Sequence, residues 1–145
     1  MERMLRLRAI LKGALIPLLF ATILPLSAQD VSHETLLDVV LQFASGLSEG
    51  NAESAIAQLD TTQPAMSKLS YQIRALIANG QISATIDPLE WIDNSTVILD
   101  WFFELKSEED AGGTVRKRER ITCRFAKKGK RWKIVALEPA EFFKS

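Results

Sequence analysis

Alternation of apolar and polar residues in three consecutive segments late in the chain most constrains the fold. In residues 96–106, 114–126 and 131–137, the apolar side chains recur at every second position over most of each segment. A period of two is typical of strands that bury one face. Polar residues 107–113 and the dipeptide Lys128-Gly129 separate the segments, as hairpin connections do. The sequence therefore predicts an antiparallel meander of three long strands.

The apolar positions also predict how these strands pair. With Lys128-Gly129 as a two-residue turn, Lys127 faces Lys130, and the same register places Glu119 opposite Phe103 with Glu138 as its other neighbour. A slip by one residue would turn every apolar side chain toward solvent. The expected apolar pairs are Phe125 with Trp132, Cys123 with Ile134, Ile121 with Ala136, Trp101 with Ile121, Leu99 with Cys123 and Val97 with Phe125.

Helical periodicity precedes the strands. A first helix is expected from Ser32 to Gly50, or to Gly46, because apolar residues recur there at spacings of three and four. A short helix capped by Asn51 should follow, and a third should begin at Pro64 and stop at Asn79-Gly80. An alternating segment, Gln81–Asp87, then adds a strand. The predicted fold class is α+β, with three N-terminal helices packed on a curved antiparallel sheet of about four strands.

The first 28 residues have the composition of a secretory signal peptide. Four basic residues precede an apolar run, Gly13–Ala28, that ends in the small residues Ser27 and Ala28. We expect cleavage before Gln29, which leaves residues 29–145 as a single domain, exported to the periplasm or secreted. An uncleaved anchor is the alternative, but the run has about 16 residues where a membrane-spanning helix needs roughly 20. No membrane span is therefore expected after cleavage.

Charge and cysteine content exclude several classes of protein. Removing the leader takes four basic residues and one acidic residue from 18 of each, which leaves a net charge of −3. That balance argues against nucleic acid as a partner. Cys123 is the single cysteine and His33 the single histidine, so a structural zinc site is excluded and Cys123 should be a buried thiol. Phosphate-binding and calcium-binding loops are absent too, and we predict neither a metal nor a cofactor.

Two segments carry a resemblance to a known superfamily. In residues 43–59, FASGLSEGNAESAIAQL, a helix closes at Gly50-Asn51 and a short Ala-rich helix follows, and residues 129–135 read GKRWKIV. From Ser32 to Phe143 the chain resembles the nuclear-transport-factor-two-like superfamily, the cone-shaped, cystatin-like fold shared with ketosteroid isomerases and SnoaL-like polyketide cyclases. The resemblance implies a pocket between a curved sheet and the helices, and it specifies a fold more than an activity. The tyrosine and two acids of the isomerases have no counterpart that we can place.

Four residues are the candidates for lining such a pocket. Trp101 should form its floor and Phe103 should lie nearer the mouth, with Glu119 and Glu138 at the rim. Two neighbouring acids would raise the pKa of one of them and could act as an acid/base pair. The alternative is that Glu119 is a solvent-exposed rim residue whose charge Lys117 balances. No catalytic residue is assigned.

A basic stretch is the other distinctive feature. Between Arg116 and Lys133 there are ten basic residues and one acid, Glu119. Either this stretch binds anions or a membrane surface, or it is a solvated outer face neutralised by cross-strand ion pairs such as Glu104 with Arg118. The second interpretation is favoured.

Three functions from different classes fit these features. The domain is a binding or accessory module for a small apolar ligand, or an isomerase, cyclase or dehydratase that uses the pocket acids, or a structural module that forms a homodimer through its sheet. The binding module ranks first because no catalytic constellation is found, so the prediction leans against an enzyme.

Overall fold

Three helices lead into four strands in a computed structural model that describes residues 32–107 and 113–143. Helix α1 spans His33–Ser48, α2 spans Ala52–Ile56 and α3 spans Pro64–Asn79. The third helix has the predicted bounds because proline suits a first turn and Asn79-Gly80 a last one. The predicted leader lies outside the described residues.

The connection between α1 and α2 depends on glycine and asparagine. Gly50 has a φ of 71°, and the Asn51 side chain accepts a hydrogen bond of 3.1 Å from the Ser54 amide. Gly46 lies so close to the second helix that a Cβ there would come within 2.6 Å of the Ala55 nitrogen. The two helices can therefore pack backbone against backbone only because position 46 has no side chain.

The strands form one antiparallel sheet in the order β1-β2-β3-β4. Their bounds are Gly80–Asp93, Thr96–Ser107, Thr114–Lys128 and Arg131–Glu138. Strand β1 continues past Pro88, where the sequence predicts its end. It does so through two register shifts, which leave Leu89 and Ile92 without a partner on β2. Proline is tolerated because β1 is an edge strand.

The predicted register of β2 against β3 is wrong by two residues. Trp101 pairs with Glu119, and Phe103 pairs with Lys117. The last turn is Gly129-Lys130, so that Lys128 pairs with Arg131. An error of two residues conserves the face of every side chain, since the period of a strand is two. The predicted burial of Val97, Leu99, Trp101, Phe103, Ile121, Cys123 and Phe125 is therefore confirmed.

Strand β4 departs further from the predicted pairing. A β-bulge opposite Arg124 and Phe125 makes Phe125 pair with Ile134 and Cys123 pair with Leu137. The pairs of Trp132 with Phe125, Ile134 with Cys123 and Ala136 with Ile121 are therefore wrong. The extra residue reverses the alternation within the strand, so Ile134 and Leu137 are buried whereas Ala136 is half-buried.

The segment that follows α2 covers the outer edge of β4. Leu59 forms a parallel bridge with Ile134. The Asp60 amide donates to the Ile134 carbonyl at 2.9 Å, and the Ile134 amide donates to the Gln58 carbonyl at 2.8 Å. This edge of the sheet is thus closed by backbone hydrogen bonds.

A 3₁₀ helix, Ala140–Phe143, follows β4 and was not predicted. It packs on α3 and β4, and it places Phe142 and Phe143 in the core, where they are 2% and 0% exposed. The architecture is the predicted one, α+β with three helices on a four-stranded antiparallel sheet. Within the described ranges, no helix has the length and apolarity needed to cross a membrane.

Candidate functional site

Aromatic rings fill the space between the sheet and the helices. Trp101 on β2 contacts Phe143 at a centroid distance of 5.2 Å, Phe43 of α1 at 5.8 Å and Phe142 at 6.4 Å, all edge to face. Phe103 contacts Phe142 at 5.9 Å. We call this group of five rings the aromatic cluster. Each ring is at most 2% exposed, so the cluster occupies the place where the resemblance implies a pocket.

One polar atom in this cluster has no partner. The indole nitrogen Nε1 of Trp101 is buried, and none of the described residues places an acceptor within hydrogen-bonding distance of it. A buried indole N–H usually finds an acceptor, and leaving such a donor unsatisfied costs about 1–3 kcal/mol. The predicted position of Trp101 on the inner face is therefore confirmed. Its indole N–H lies among apolar side chains.

The predicted pair of acids does not come together. Glu119 is exposed and pairs with Trp101, whereas Glu138 is exposed and pairs with Thr122, three positions further along β3. Three positions correspond to roughly 10 Å along a strand. Lys117 lies on the inner side of β3, and its Nζ donates to the Phe142 carbonyl at 3.3 Å. Lys117 was expected to balance the charge of Glu119 at the rim. In the structure it binds the backbone of the 3₁₀ helix.

Open grooves lie outside the aromatic cluster. One of about 380 Å³ runs between the start of α3 and residues 136–141 and includes Glu138. A second, of about 220 Å³, adjoins Lys68 and Gln72 of α3. A larger groove of about 510 Å³ between the end of α1 and the start of β1 contains one titratable side chain, Glu49. None of these grooves includes Trp101, Phe103 or Glu119.

Ion pairs cross the outer face of the sheet. Arg118 forms two hydrogen bonds with Asp100, at 2.8 and 3.2 Å, and Arg116 forms one with Glu104 at 2.7 Å. The Arg118 guanidinium holds the pKa of the Asp100 carboxyl below its usual value. The partners differ from the predicted Glu104–Arg118 pair because the register is displaced by two residues. Neutralisation of this part of the basic stretch is nevertheless as predicted.

The single thiol and the single imidazole have different surroundings. Cys123 is fully buried on the inner face, as predicted, and burial raises the pKa of its thiol well above the usual range. His33 stacks on Trp91 at 3.7 Å, with the rings 7° from parallel. Among residues 32–107 and 113–143, no three histidine, cysteine or acidic side chains are grouped so that they could hold a metal ion.

Sequence reasoning missed the two phenylalanines that close the interior. Phe142 and Phe143 follow the last strand and Pro139. Two adjacent aromatic residues at this place indicate that the segment after the strand packs into the core. Phe43 belongs to the predicted apolar face of the first helix, but its contact with Trp101 depends on tertiary packing.

Comparison with solved structures identifies the fold. A Shewanella oneidensis MR-1 protein of unknown function, described as NTF-2 like, superposes with a TM-score of 0.50 at 11% identity, covering 72% of this chain and 94% of that one. A Mycobacterium tuberculosis protein of unknown function gives 0.52 at 13% identity, covering 86% and 75%. A Xanthomonas campestris protein described as a calcium/calmodulin dependent protein kinase II association domain gives 0.55 at 12% identity, covering 75% and 86%.

The chain therefore has the nuclear-transport-factor-two-like fold, which confirms the resemblance at the level of fold. No protein-family model matches the sequence, and no curated protein matches it significantly.

Proposed function

We propose that this protein is an exported, non-catalytic binding domain whose ligand site is the interior of the cone around Trp101. In this proposal Phe142 and Phe143 occupy the place that the ligand takes, and the ligand displaces them. The predicted pocket residues Trp101 and Phe103 become the inner wall of the site. Glu119, the exposed cross-strand partner of Trp101, lies at its rim, and Glu138 lies three positions away along β3.

The observation that carries the proposal is the unsatisfied Trp101 Nε1. It is the polar atom of an aromatic cluster that otherwise offers carbon alone. A ligand that fits is apolar, about as large as two phenyl rings set at an angle to each other, and carries one hydrogen-bond acceptor. Binding such a ligand would replace the contacts that Phe142 and Phe143 make with Trp101 by contacts with the ligand's rings. It would also give the Trp101 N–H a hydrogen-bond acceptor.

Two long hydrogen bonds connect the 3₁₀ helix to other described residues. Phe142 accepts one bond of 3.3 Å from Lys117, and its amide donates one of 3.3 Å to the Pro139 carbonyl. The burial of its two rings also attaches it, and a ligand of similar shape would replace those ring contacts. The apparent affinity is then the affinity of the open form reduced by the open fraction, so moderate affinity is expected.

The make-up of the interior favours binding over catalysis. Its walls are rings and aliphatic side chains, and the buried thiol of Cys123 is held protonated. The alternative function, an isomerase, cyclase or dehydratase, needs an acid and a base near the ligand. Glu119 is exposed beside Trp101, and Glu138 is exposed three positions further along β3, so the two acids do not form the pair that this chemistry needs.

Matched ligands test the site directly. Benzophenone has two phenyl rings and a carbonyl acceptor, and diphenylmethane has the same rings without the acceptor. In a two-dimensional ¹H–¹⁵N spectrum, benzophenone should saturably shift the Trp101 indole N–H downfield, and diphenylmethane should bind more weakly with a smaller shift. Variants Trp91→Phe and Trp132→Phe assign the Trp101 signal.

Two variants provide the controls. Trp101→Phe keeps an apolar ring but removes the donor, so the preference for benzophenone over diphenylmethane, read from backbone amide signals in this variant, should disappear. Phe142→Leu weakens the closure and should tighten the binding of benzophenone. If saturating benzophenone leaves the Trp101 signal unchanged in both the wild type and Phe142→Leu, Trp101 is core and the interior is no binding site.

Export is tested separately. The order of basic, apolar and small residues in the first 28 positions supports cleavage before Gln29. Mass spectrometry and N-terminal sequencing of protein recovered outside the cytoplasm should find an N-terminus at or near Gln29. Protein that is found there with Met1 intact would contradict cleavage.

A second candidate function is self-association through the outer face of the sheet. Ile98 and Phe102 lie half-buried between the charged rows of this face, and one structural neighbour is described as an association domain. Light scattering after gel filtration should then show a dimer that Phe102→Asp converts to a monomer. A monomer at all concentrations of wild type contradicts this function.

A further inference from the structure

Four basic side chains near the β3–β4 turn have no acidic partner among residues 32–107 and 113–143. Arg124, Lys127, Lys130 and Arg131, which we call the hairpin cluster, are exposed, and none takes part in the ion pairs found within the described ranges. They contrast with Arg116 and Arg118 on the same β3 strand, which pair with acids. The hairpin cluster therefore surrounds the end of the hairpin, with Lys127 on one face and Arg124 and Arg131 on the other, and the described residues do not neutralise its positive charge.

Two other lysines near the turn connect this hairpin to the segment that follows α2. Lys128 Nζ lies 3.1 Å from Asp60 Oδ2, and Lys133 Nζ donates to the Ala57 carbonyl at 2.6 Å. Both partners belong to the segment that follows α2. The hairpin is thus tied to the helical layer, and the four free cations are presented on a supported turn instead of a loose loop.

Charge is unequally distributed across the sheet. Helix α1 and strand β1, at the first edge, contain acids and no lysine or arginine. Strands β3 and β4, toward the other edge, contain nine basic residues and two acids, and the turn between them adds Lys130. After leader removal the domain has a net charge of −3, so a negatively charged surface repels it weakly as a whole. The same surface would orient the domain with strands β3 and β4 toward it.

An aromatic residue stands beside the cluster. Trp132 is half-buried and pairs with Lys127. Indole rings next to lysine and arginine are typical of surfaces that contact lipid headgroups, where the ring lies at the interface and the cations meet phosphates. We propose that the hairpin cluster docks the domain on the surface of an anionic lipid bilayer, with Trp132 at the contact.

Vesicle binding tests this docking. The full chain as isolated, with its N-terminus determined, is sedimented with vesicles of phosphatidylcholine alone and with vesicles containing one-quarter phosphatidylglycerol. Binding should require the anionic lipid and should fall steeply between 50 and 500 mM salt. Neutral vesicles report any apolar binding that residues 1–28 would add, and their electrostatic binding is common to all the variants below and cancels in the comparison. Equal binding to both vesicle types overturns the proposal.

Charge-matched variants locate the contact. Lys127→Gln with Lys130→Gln removes two cations of the cluster, and Lys68→Gln with Lys106→Gln removes two exposed lysines from elsewhere. At roughly fivefold per basic residue, the first pair should weaken anionic binding about 30-fold and the second less than threefold. Equal losses would mean that net charge and not the hairpin drives binding. Thermal unfolding of both pairs verifies that they are folded.

Two further measurements separate a bilayer from a free anion. In the Trp91→Phe background, Trp132 emission should shift to shorter wavelength with anionic vesicles and be quenched by brominated lipid, while buried Trp101 stays constant. Inorganic phosphate at 10 mM and fixed ionic strength should displace less than half of the protein. Full displacement indicates a site for isolated phosphate and overturns bilayer docking, as does an unchanged Trp132 signal.

Discussion

The two faces of strands β2 and β3 show how differently one sheet can use its side chains. On the inner face Leu99, Trp101 and Ile121 are completely buried, while on the outer face Asp100 and Arg118 form an ion pair beside solvent. The same backbone carries both. The inner face should therefore determine whether the chain folds, and the outer face should affect solubility and contacts with other molecules more than stability.

The largest effect is expected from Trp101→Ala. Removing this ring leaves a cavity among Phe43, Phe142 and Phe143, and the free energy of unfolding should fall by about 3–5 kcal/mol. Urea unfolding followed by circular dichroism measures it. A loss below about 1 kcal/mol would show that the aromatic cluster is loosely packed. The inner face would then contribute little more to stability than the outer face.

A smaller effect on the same face is expected from Cys123→Ser. The side chain is fully buried, between Val97 and Leu137 in the pairing of the sheet, so a hydroxyl there loses water without a partner. The stability should fall by about 1–3 kcal/mol, and Cys123→Ala should cost less. Wild-type Cys123 should also react with a thiol reagent only under unfolding conditions. Rapid labelling of the native protein would contradict its burial.

On the outer face, Arg116→Gln combined with Arg120→Gln should change stability by no more than about 1 kcal/mol. Both side chains are exposed, and the ion pair of Arg116 with Glu104 is accessible to water. The same urea titration measures this variant. A loss of several kcal/mol would mean that these arginines are covered by a partner or a ligand, and would remove the distinction between the two faces.

The smallest effect is the pH dependence of the Asp100–Arg118 pair. Arg118 lowers the pKa of Asp100 in the folded state, so the stability from this carboxylate is present above its unfolded pKa of about 4 and is lost as pH falls through the folded value. The difference in stability between wild type and Asp100→Asn should therefore shrink from pH 7 to pH 2. A difference that grows toward low pH would contradict the assigned ion pair.

The alternation of residues predicts the faces of β2 and β3 correctly but leaves their register ambiguous. A displacement by two residues buries the same side chains, so no apolar pattern can distinguish pairing of Trp101 with Ile121 from pairing with Glu119. The bulge at Val135 is likewise invisible, because a half-buried valine fits either alternation. Helix α3 was predictable since Pro64 and Asn79-Gly80 specify its ends locally.

The candidate site was predictable in part only. Trp101 and Phe103 are on the predicted inner face, but the rings that cover them come from residues 142 and 143, far along the chain. Burial of a short segment after the last strand depends on the volume left between sheet and helices, which periodicity does not measure. The predicted pairing of Glu119 with Glu138 is wrong because the β3–β4 turn is displaced by one residue and β4 contains a bulge.

The two edges of the sheet have a consequence for how copies of this protein can meet. Growth of a fibril by strand addition needs a straight edge with free amide and carbonyl groups. Gln58–Asp60 occupies that position on β4, and the two bulges at Leu89 and Ile92 interrupt it on β1. Strand addition is thereby obstructed on β4 beside Ile134 and along the second half of β1, and it would have to use the regular segment Gly80–Pro88. An ordered assembly of this domain should therefore form through its faces more readily than through its edges.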